Sequence, residues 1–139
     1  MTYRFTLPVT PMSSQTAGKR ICSRGGRIMF FKEGKVSRWQ DAVRLFARQY
    51  APTSPMEGPV GVRFVFVLAR PKALGRKSDP DGRVRCWKRP DDDNLQKPLR
   101  DSLDGFWLDD AQICQCQTEK WYAAKGEEPS IECEIYPLF

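Results

Sequence analysis

The stretch VGVRFVFVLA at residues 60–69 decides the fold, because it is apolar on both of its alternating sides. Arg63 is its one charged residue, and β-branched and aromatic side chains dominate the rest. Half-exposed strands alternate between apolar and polar residues, whereas a continuous apolar run is typical of a strand covered on both faces. We therefore predict that residues 60–69 form the central strand of a sheet.

Alternating patterns on either side of this run predict four more strands. They cover residues 3–7, 27–31, 113–122 and 130–136. The last two flank a turn-forming stretch that ends in Pro129, so we predict that they pair as a terminal hairpin. Residues 13–26 are predicted to be a loop.

Two helices complete the predicted fold. Ser37 and Gln40 match a capping box at the start of the first helix. Its core face is expected to consist of apolar residues at three- and four-residue steps, namely Trp39, Val43, Phe46 and Tyr50. The second helix is predicted over residues 98–103, with Pro98 near its first turn. The element order predicts an α+β fold, in which two main helices flank a mixed sheet of four to five strands.

Length and composition predict one ordinary globular domain over residues 1–139. Hydrophobic residues make up 40% of the chain and charged residues 29%, unlike the composition of disordered proteins. No apolar run approaches the roughly 20 residues that a membrane helix needs. The first eight residues are too few and too polar for a secretory signal. We therefore expect a cytoplasmic protein.

The absence of histidine restricts the possible chemistry. It excludes histidine general bases, Ser-His-Asp triads, Cys-His dyads and histidine-containing zinc sites. Catalysis would have to use carboxylates, lysine, tyrosine, cysteine or a metal ion. Five cysteines are an odd number, so we expect no disulfide framework in a cytoplasmic chain. Cys114 and Cys116 are predicted to pack as small side chains on one face of a sheet.

The positive charge is concentrated in one segment. Residues 70–89 contain eight Lys and Arg against two Asp, which accounts for the whole formal charge of +6. A polyanionic partner is predicted, and nucleic acid is favoured over a merely soluble basic surface because an acidic motif follows directly. Trp87 would either stack on an unpaired base or anchor the loop to the body. The predicted DNA contacts are Arg76, Lys77, Arg83, Arg85, Lys88 and Arg89.

Three aspartates form a candidate metal site. If the backbone there is extended, Asp91 and Asp93 project to the same side. Asp110 precedes a predicted strand and could return towards them. Converging carboxylates suit Mg2+, which prefers oxygen ligands, and Lys97 could place its ammonium group beside a scissile phosphate. The alternative is that the acidic triplet only caps the following helix.

The motif residues resemble a known family. The stretches RPDDDNLQK (89–97), DSL (101–103) and FWLDDAQI (106–113) look like the signature of the RusA-type Holliday junction resolvases. Members of that family are small homodimeric, Mg2+-dependent endodeoxyribonucleases of bacteria and their phages. The basic segment before the aspartates is longer than usual for the family, and residues 11–15 lack an asparagine that the family tends to carry there.

The resemblance implies roles for individual residues. Asp91, Asp93 and Asp110 would bind the metal, and Lys97 would support catalysis. Asp101 also matches a motif position, and a salt bridge to Lys97 one turn away explains it equally well.

The expected function is the resolution of Holliday junctions in DNA recombination and repair, with Mg2+ or Mn2+ as cofactor. A homodimer would present two identical sites to two equivalent strands of a nearly two-fold symmetric junction. Two alternatives stay open. One is a metal-dependent nuclease for another substrate, such as flaps or RNA-DNA hybrids, and the other is a non-catalytic DNA-binding phage accessory protein.

Overall fold

Strand β4 (Val60–Leu68) lies at the centre of a five-stranded sheet in the computed structural model. The structure describes residues 1–14, 20–24, 27–31 and 34–139, and side chains outside residues 15–33. The other elements are β1 (Tyr3–Leu7), β2 (Arg20–Arg24), β3 (Arg27–Phe31), α1 (Gly34–Arg48), β5 (Val84–Arg85), α2 (Asp92–Asp101), β6 (Ile113–Tyr122) and β7 (Ser130–Pro137). The order of the main sheet is β1-β7-β4-β6-β5, and β2 pairs with β3 separately. The predicted α+β class is confirmed for the described residues.

Strand β4 is covered on both faces, which explains its apolar sequence. The side chains that face the helices are completely buried, and they are Val60, Val62, Phe64 and Phe66. On the opposite face, Val65 and Val67 pack with Ala123. The central position predicted for this strand is confirmed.

The predicted terminal hairpin is wrong, because β4 lies between β6 and β7. Strand β7 runs antiparallel to β4, whereas β6 runs parallel to it. The most apolar strand takes the place where two neighbours shield it. The connection from β6 to β7 crosses the end of β4, where the Ala123 amide donates to the Leu68 carbonyl at 2.8 Å.

The buried stripe of helix α1 confirms two of the four predicted core residues, Trp39 and Val43. Its buried residues are Val36, Trp39, Val43 and Ala47. Phe46 and Tyr50 are 36% and 40% exposed, so their assignment to the core face is wrong. Ala47 fills the stripe next to Phe46, and Tyr50 lies beyond the helix end, where it stacks on Phe5. Ser37 lies inside the helix, which begins at Gly34.

Helix α2 begins earlier than predicted. Asp91 is its N-cap, with extended backbone angles (φ −70°, ψ 148°), and Asp92 and Asp93 form its first turn. Negative charge is favourable at this end of a helix because the amide dipoles point positive there. Pro98 therefore lies inside the helix, and the buried face consists of Leu95, Pro98 and Leu99. Within the described residues, no helix has the length and apolarity needed to cross a membrane.

The region before α1 differs in part from the prediction. Strand β3 confirms the strand predicted over residues 27–31, and it pairs antiparallel with β2. Strand β2 lies within residues 13–26, which were predicted to be a loop. Residues 15–19 and 25–26 of that predicted loop lie outside the described residues.

Cys114 and Cys116 are exposed, so the prediction that they pack on a sheet face is wrong. The register of β6 against β4 shifts between Val60 and Gly61, which leaves Cys114 out of the pairing. In the part of the chain that the structure describes, β5 pairs only with the end of β6, at Tyr122 and Trp121. The first half of β6 is thus an edge, and its side chains stay accessible.

The long segment after β4 is ordered by cations that bind its carbonyl groups. The Arg70 guanidinium donates to the carbonyls of Leu74, Pro80, Gly82 and Ala123. Lys125 Nζ donates to the carbonyls of Arg76 and Asp79 at 2.7 and 2.9 Å. Part of the basic excess therefore folds this segment instead of facing a partner.

Arg83 ties the same segment to the far side of the sheet. Its guanidinium lies 2.8 Å from Glu127 and 2.7 Å from Glu132. The hydrogen bonds to Glu127 and Glu132 raise the pKa of Arg83, and the bond from Arg83 lowers the pKa of Glu127. Arg85 is also engaged, since it pairs with Glu119 and lies 3.7 Å above the Trp121 ring.

Replacing Leu99 tests the packing of α2. Leu99 is completely buried, so we expect Leu99→Ala to lower the free energy of unfolding by about 2–5 kcal/mol in urea denaturation. Leu45→Ala is the matched control, because Leu45 is 67% exposed and should change stability by less than about 0.5 kcal/mol. Equal losses in the two variants would contradict the packing described.

Replacing Arg83 tests its ion pairs. We expect Arg83→Gln to lower the free energy of unfolding by about 1 kcal/mol at neutral pH. The pKa of Glu127 lies below its ordinary value of 4.5 in the folded state, so its contribution is complete above that value and is lost as pH falls through the folded pKa. The deficit of the variant should therefore shrink in acid.

Lys77→Gln is the control for this charge change, because Lys77 is exposed and has no acidic partner among the described residues. Urea titrations of both variants at neutral and acid pH give the comparison. A deficit of Arg83→Gln that is the same at both pH values would contradict the pairing with Glu127.

Candidate active site

One face of α2 carries polar side chains into an open cavity. Residues 93, 96, 97, 100 and 101 recur at three- and four-residue steps, so they lie on one side of the helix. Together with one residue from the turn before β6 they line a cavity of about 290 Å³, and the lining is Asp93, Gln96, Lys97, Arg100, Asp101 and Asp110. Two predicted metal ligands and the predicted catalytic lysine thus share one cavity.

Asp110 is held by the turn that precedes β6. Asp109 is the N-cap of a 3-10 turn over Asp110–Gln112, and its carboxylate accepts the Ala111 amide at 2.8 Å. The indole Nε1 of Trp107 donates to Asp110 Oδ1 at 2.9 Å. Trp107 is only 2% exposed, so this bond ties the Asp110 carboxylate to the core.

Asp91 and Asp93 do not lie on one extended segment, so the extended backbone considered for this motif is wrong. Asp93 is helical, whereas Asp91 is the extended N-cap outside the lining of the cavity. Asp91 makes no side-chain capping bond, and the carboxylate of Asp92 accepts a bond from Thr118 Oγ1 at 2.8 Å. The capping alternative is thus met in one part only: Asp91 makes no capping bond, whereas Asp92 and Asp93 complement the positive end of the helix.

The donor set of the cavity suits a hard divalent cation. Over residues 1–14, 20–24, 27–31 and 34–139, no three Cys, Asp or Glu side chains stand together as a complete metal cage. Mg2+ does not need one, since it is usually held by one or two carboxylates, several waters and substrate phosphate oxygens. Asp93 and Asp110 supply two carboxylates to one open cavity, which fits this mode of binding.

Lys97 is exposed and lies at the same cavity. Among the described residues it forms no ion pair, so the salt bridge to Asp101 considered above is not made. An unpaired ammonium group in the same cavity as two carboxylates leaves a cation available for an anionic ligand.

The N-terminal segment reaches the same helix. Ser14 Oγ donates to Asn94 Oδ1 at 3.1 Å, and Trp39 Nε1 donates to the Thr10 carbonyl at 2.8 Å. This places a serine next to the acidic motif in the segment that lacks the asparagine typical of the resembled family. Gln15 lies outside the described residues.

The loop before α2 displays an aromatic residue and unpaired cations. Trp87 is 82% exposed, whereas its neighbour Cys86 is buried. Lys120 Nζ holds this loop by donating to the carbonyls of Lys88 and Pro90 at 2.8 and 2.7 Å. The loop is thus anchored by Cys86 and Lys120, and not by Trp87.

The six predicted DNA contacts fall into two groups. Arg83 and Arg85 pair with glutamates, as described above. The exposed side chains without an acidic partner in the described chain are Arg76, Lys77, Lys88 and Arg89. Lys88 Nζ lies 5.5 Å from the centroid of the Trp87 ring.

Sequence reasoning missed several residues of the site. A helix that begins at Asp92 places Gln96 and Arg100 on the same face as Asp93, so the helical period predicts both residues once that start is recognised. The D-x-x-Q spacing of Asp109 and Gln112 is a capping-box signal that was available in the sequence. Nothing local indicated the bond from Trp107 to Asp110.

Comparison with known proteins gives a consistent result. Residues 8–136 match the protein family described as Endodeoxyribonuclease RusA. The chain is also 27% identical over 118 residues to a Bacillus subtilis (strain 168) protein named Uncharacterized protein YqaN, with 81% of each chain covered. Since the family match spans nearly the whole chain and includes the acidic motif, this protein belongs to the RusA endodeoxyribonuclease family.

Proposed function

We propose that this protein is a Mg2+-dependent, structure-selective endodeoxyribonuclease that nicks paired strands of Holliday junctions in DNA recombination and repair. The observation that carries the proposal is the shared cavity, in which the Asp93 and Asp110 carboxylates lie with the unpaired Lys97. A basic loop with an exposed tryptophan leads directly into this helix.

Each residue has a role in the proposed reaction. Asp93 and Asp110 would hold Mg2+ from two elements, and Asp91 at the N-cap would add a third carboxylate; Mn2+ could use the same donors. When bound, the metal would supply an activated water and neutralise phosphate charge. Lys97 would donate to a phosphate oxygen and stabilise the negative charge that develops during cleavage.

The proposed substrate contacts lie on the loop before α2. Lys88 and Arg89 would bind backbone phosphates next to the cavity, and Arg76 and Lys77 would extend this contact. Phosphate contacts position a duplex without reading its sequence. Trp87 would stack on an unpaired base near the crossover, because it is exposed on an anchored loop.

We further propose that two copies of the chain bind one junction. A four-way junction has approximate two-fold symmetry, so a homodimer with an isologous interface would bring two equal cavities to two equivalent strands. Paired nicks would follow from this symmetry.

Asp93→Asn tests the catalytic role of the cavity. We expect nicking of a synthetic four-way junction with Mg2+ to fall by about a hundredfold or more, with junction affinity in gel-shift assays largely retained. Asp41→Asn, an exposed change on α1, is the control and should nick at the rate of the wild type. Undiminished cleavage by Asp93→Asn would remove the assignment.

A comparison of substrates in the nicking assay, together with calorimetry, separates the alternative functions. Flap and RNA-DNA hybrid substrates cleaved faster than the junction would favour a different nuclease. A protein without a saturable Mn2+ site in calorimetry, and without nicking, would be the non-catalytic DNA-binding alternative.

Removing Lys88 and Arg89 tests the DNA-contacting surface. We expect the double change Lys88→Gln with Arg89→Gln to weaken junction binding and to lower the slope of log affinity against log salt by about two. Arg38→Gln with Arg48→Gln removes the same charge from the exposed side of α1 and should change both quantities less. Equal effects of the two double variants would show only a general influence of net charge.

A further inference from the structure

The side chain of Gln112 joins two segments of the chain through four hydrogen bonds. Its Oε1 accepts the amides of Leu108 and Asp109 at 2.7 and 2.8 Å. Its Nε2 donates to the carbonyls of Met56 and Gly58 at 2.8 and 2.9 Å. A carboxamide has two N–H donors and one oxygen with two lone pairs, so every bonding position of this side chain is used.

The bonds of Gln112 stabilise the turn that carries Asp110. Gln112 is the third residue of the 3-10 turn that Asp109 caps, and Asp110 lies between them. The connector between α1 and β4, residues 49–59, is bound to the same region, since the Met56 amide donates to the Phe106 carbonyl at 2.8 Å. The turn is thus hydrogen-bonded to the connector through Gln112 and capped by Asp109.

No other amino acid offers the same set of bonds in this shape. Glutamate would keep an acceptor for the two amides, but it would direct a second oxygen at two carbonyl groups. Methionine has a similar length and would lose all four bonds, which leaves backbone groups of the turn without these partners.

We infer that Gln112 is a positioning residue that fixes the Asp110 carboxylate at the cavity, together with the indole bond from Trp107. The inference rests on the proposed function for its consequence in cleavage. Its geometric part concerns this chain alone and can be measured without substrate or metal.

The first experiment measures the geometry. In the free protein, the Trp107 indole N–H is expected to be protected from hydrogen exchange by its bond to Asp110, and its NMR signal can be assigned with Trp107→Phe. Gln112→Met should lower this protection at least about tenfold, since the turn that carries Asp110 is released. Gln115→Met, a change of an exposed residue in the following strand β6, should leave it unchanged.

The second experiment measures the consequence. Outer-shell partners of metal ligands typically change metal affinity or activity by about 10–100-fold. We therefore expect Gln112→Met to weaken Mn2+ binding in calorimetry and to lower kcat for junction nicking by about tenfold or more, with the KM for the junction unchanged. A merely structural role would lower the melting temperature and leave Mn2+ affinity and kcat per folded molecule intact.

The outcomes separate this inference from the proposed function. Unchanged indole protection in Gln112→Met overturns the inference, and so does lost protection with full kcat and Mn2+ affinity. If the wild type neither nicks junctions nor binds Mn2+, the proposed function fails, and the exchange measurement alone decides whether Gln112 fixes Asp110. Should Gln112→Met not fold, Gln112→Glu, which keeps the acceptor, is measured in the same two ways.

Discussion

Strand β6 runs parallel to β4, and two parallel strands can be joined only by a connection that returns along the sheet. The chain leaves β4 at Leu68 and must return to the opposite end of that strand, where β6 begins at Ile113 beside Val60. Helix α2 lies in this connection, and it packs beside β6 through bonds from Thr118 to Asp92 and from Cys116 to Gln96. The polar face of the helix and Asp110 in the turn before β6 come together as a consequence of this one pairing.

The basic segment shows that local charge and binding surface are different properties. Arg70 donates hydrogen bonds to carbonyl groups of this chain, and Arg83 donates to its carboxylates. Without such donors, a segment of this length would carry many unpaired backbone groups over the surface of the domain. Its remaining cations stay exposed, with Lys88 beside Trp87, and these are the groups that a polyanion could reach.

Much of the fold could be predicted from the sequence, because the decisive signals are local. The apolar run of β4 fixes the central strand, and the motif from Asp91 to Asp110 carries both the cavity residues and the family. The start of α2 is not predicted correctly, because proline is typical of the first turn of a helix and Pro98 therefore suggests a later start. The acidic residues before Pro98 favour an earlier start, since negative charge stabilises the N-terminal end of a helix.

Other features depend on contacts between residues far apart in the chain, which no local pattern encodes. The insertion of β4 between β6 and β7 follows from competition for the most buried position, and not from the short connection that suggested a hairpin. In the same way, Arg83 pairs with the distant Glu132, and two of the four bonds of Gln112 reach the distant carbonyls of Met56 and Gly58.

The most direct test of the whole account is an anomalous diffraction measurement on crystals of the protein soaked in Mn2+. We expect an anomalous peak in the cavity of α2, within coordination distance of carboxylate oxygens of both Asp93 and Asp110. A fully occupied Mn2+ site elsewhere on the protein, with no peak at this cavity, would contradict it.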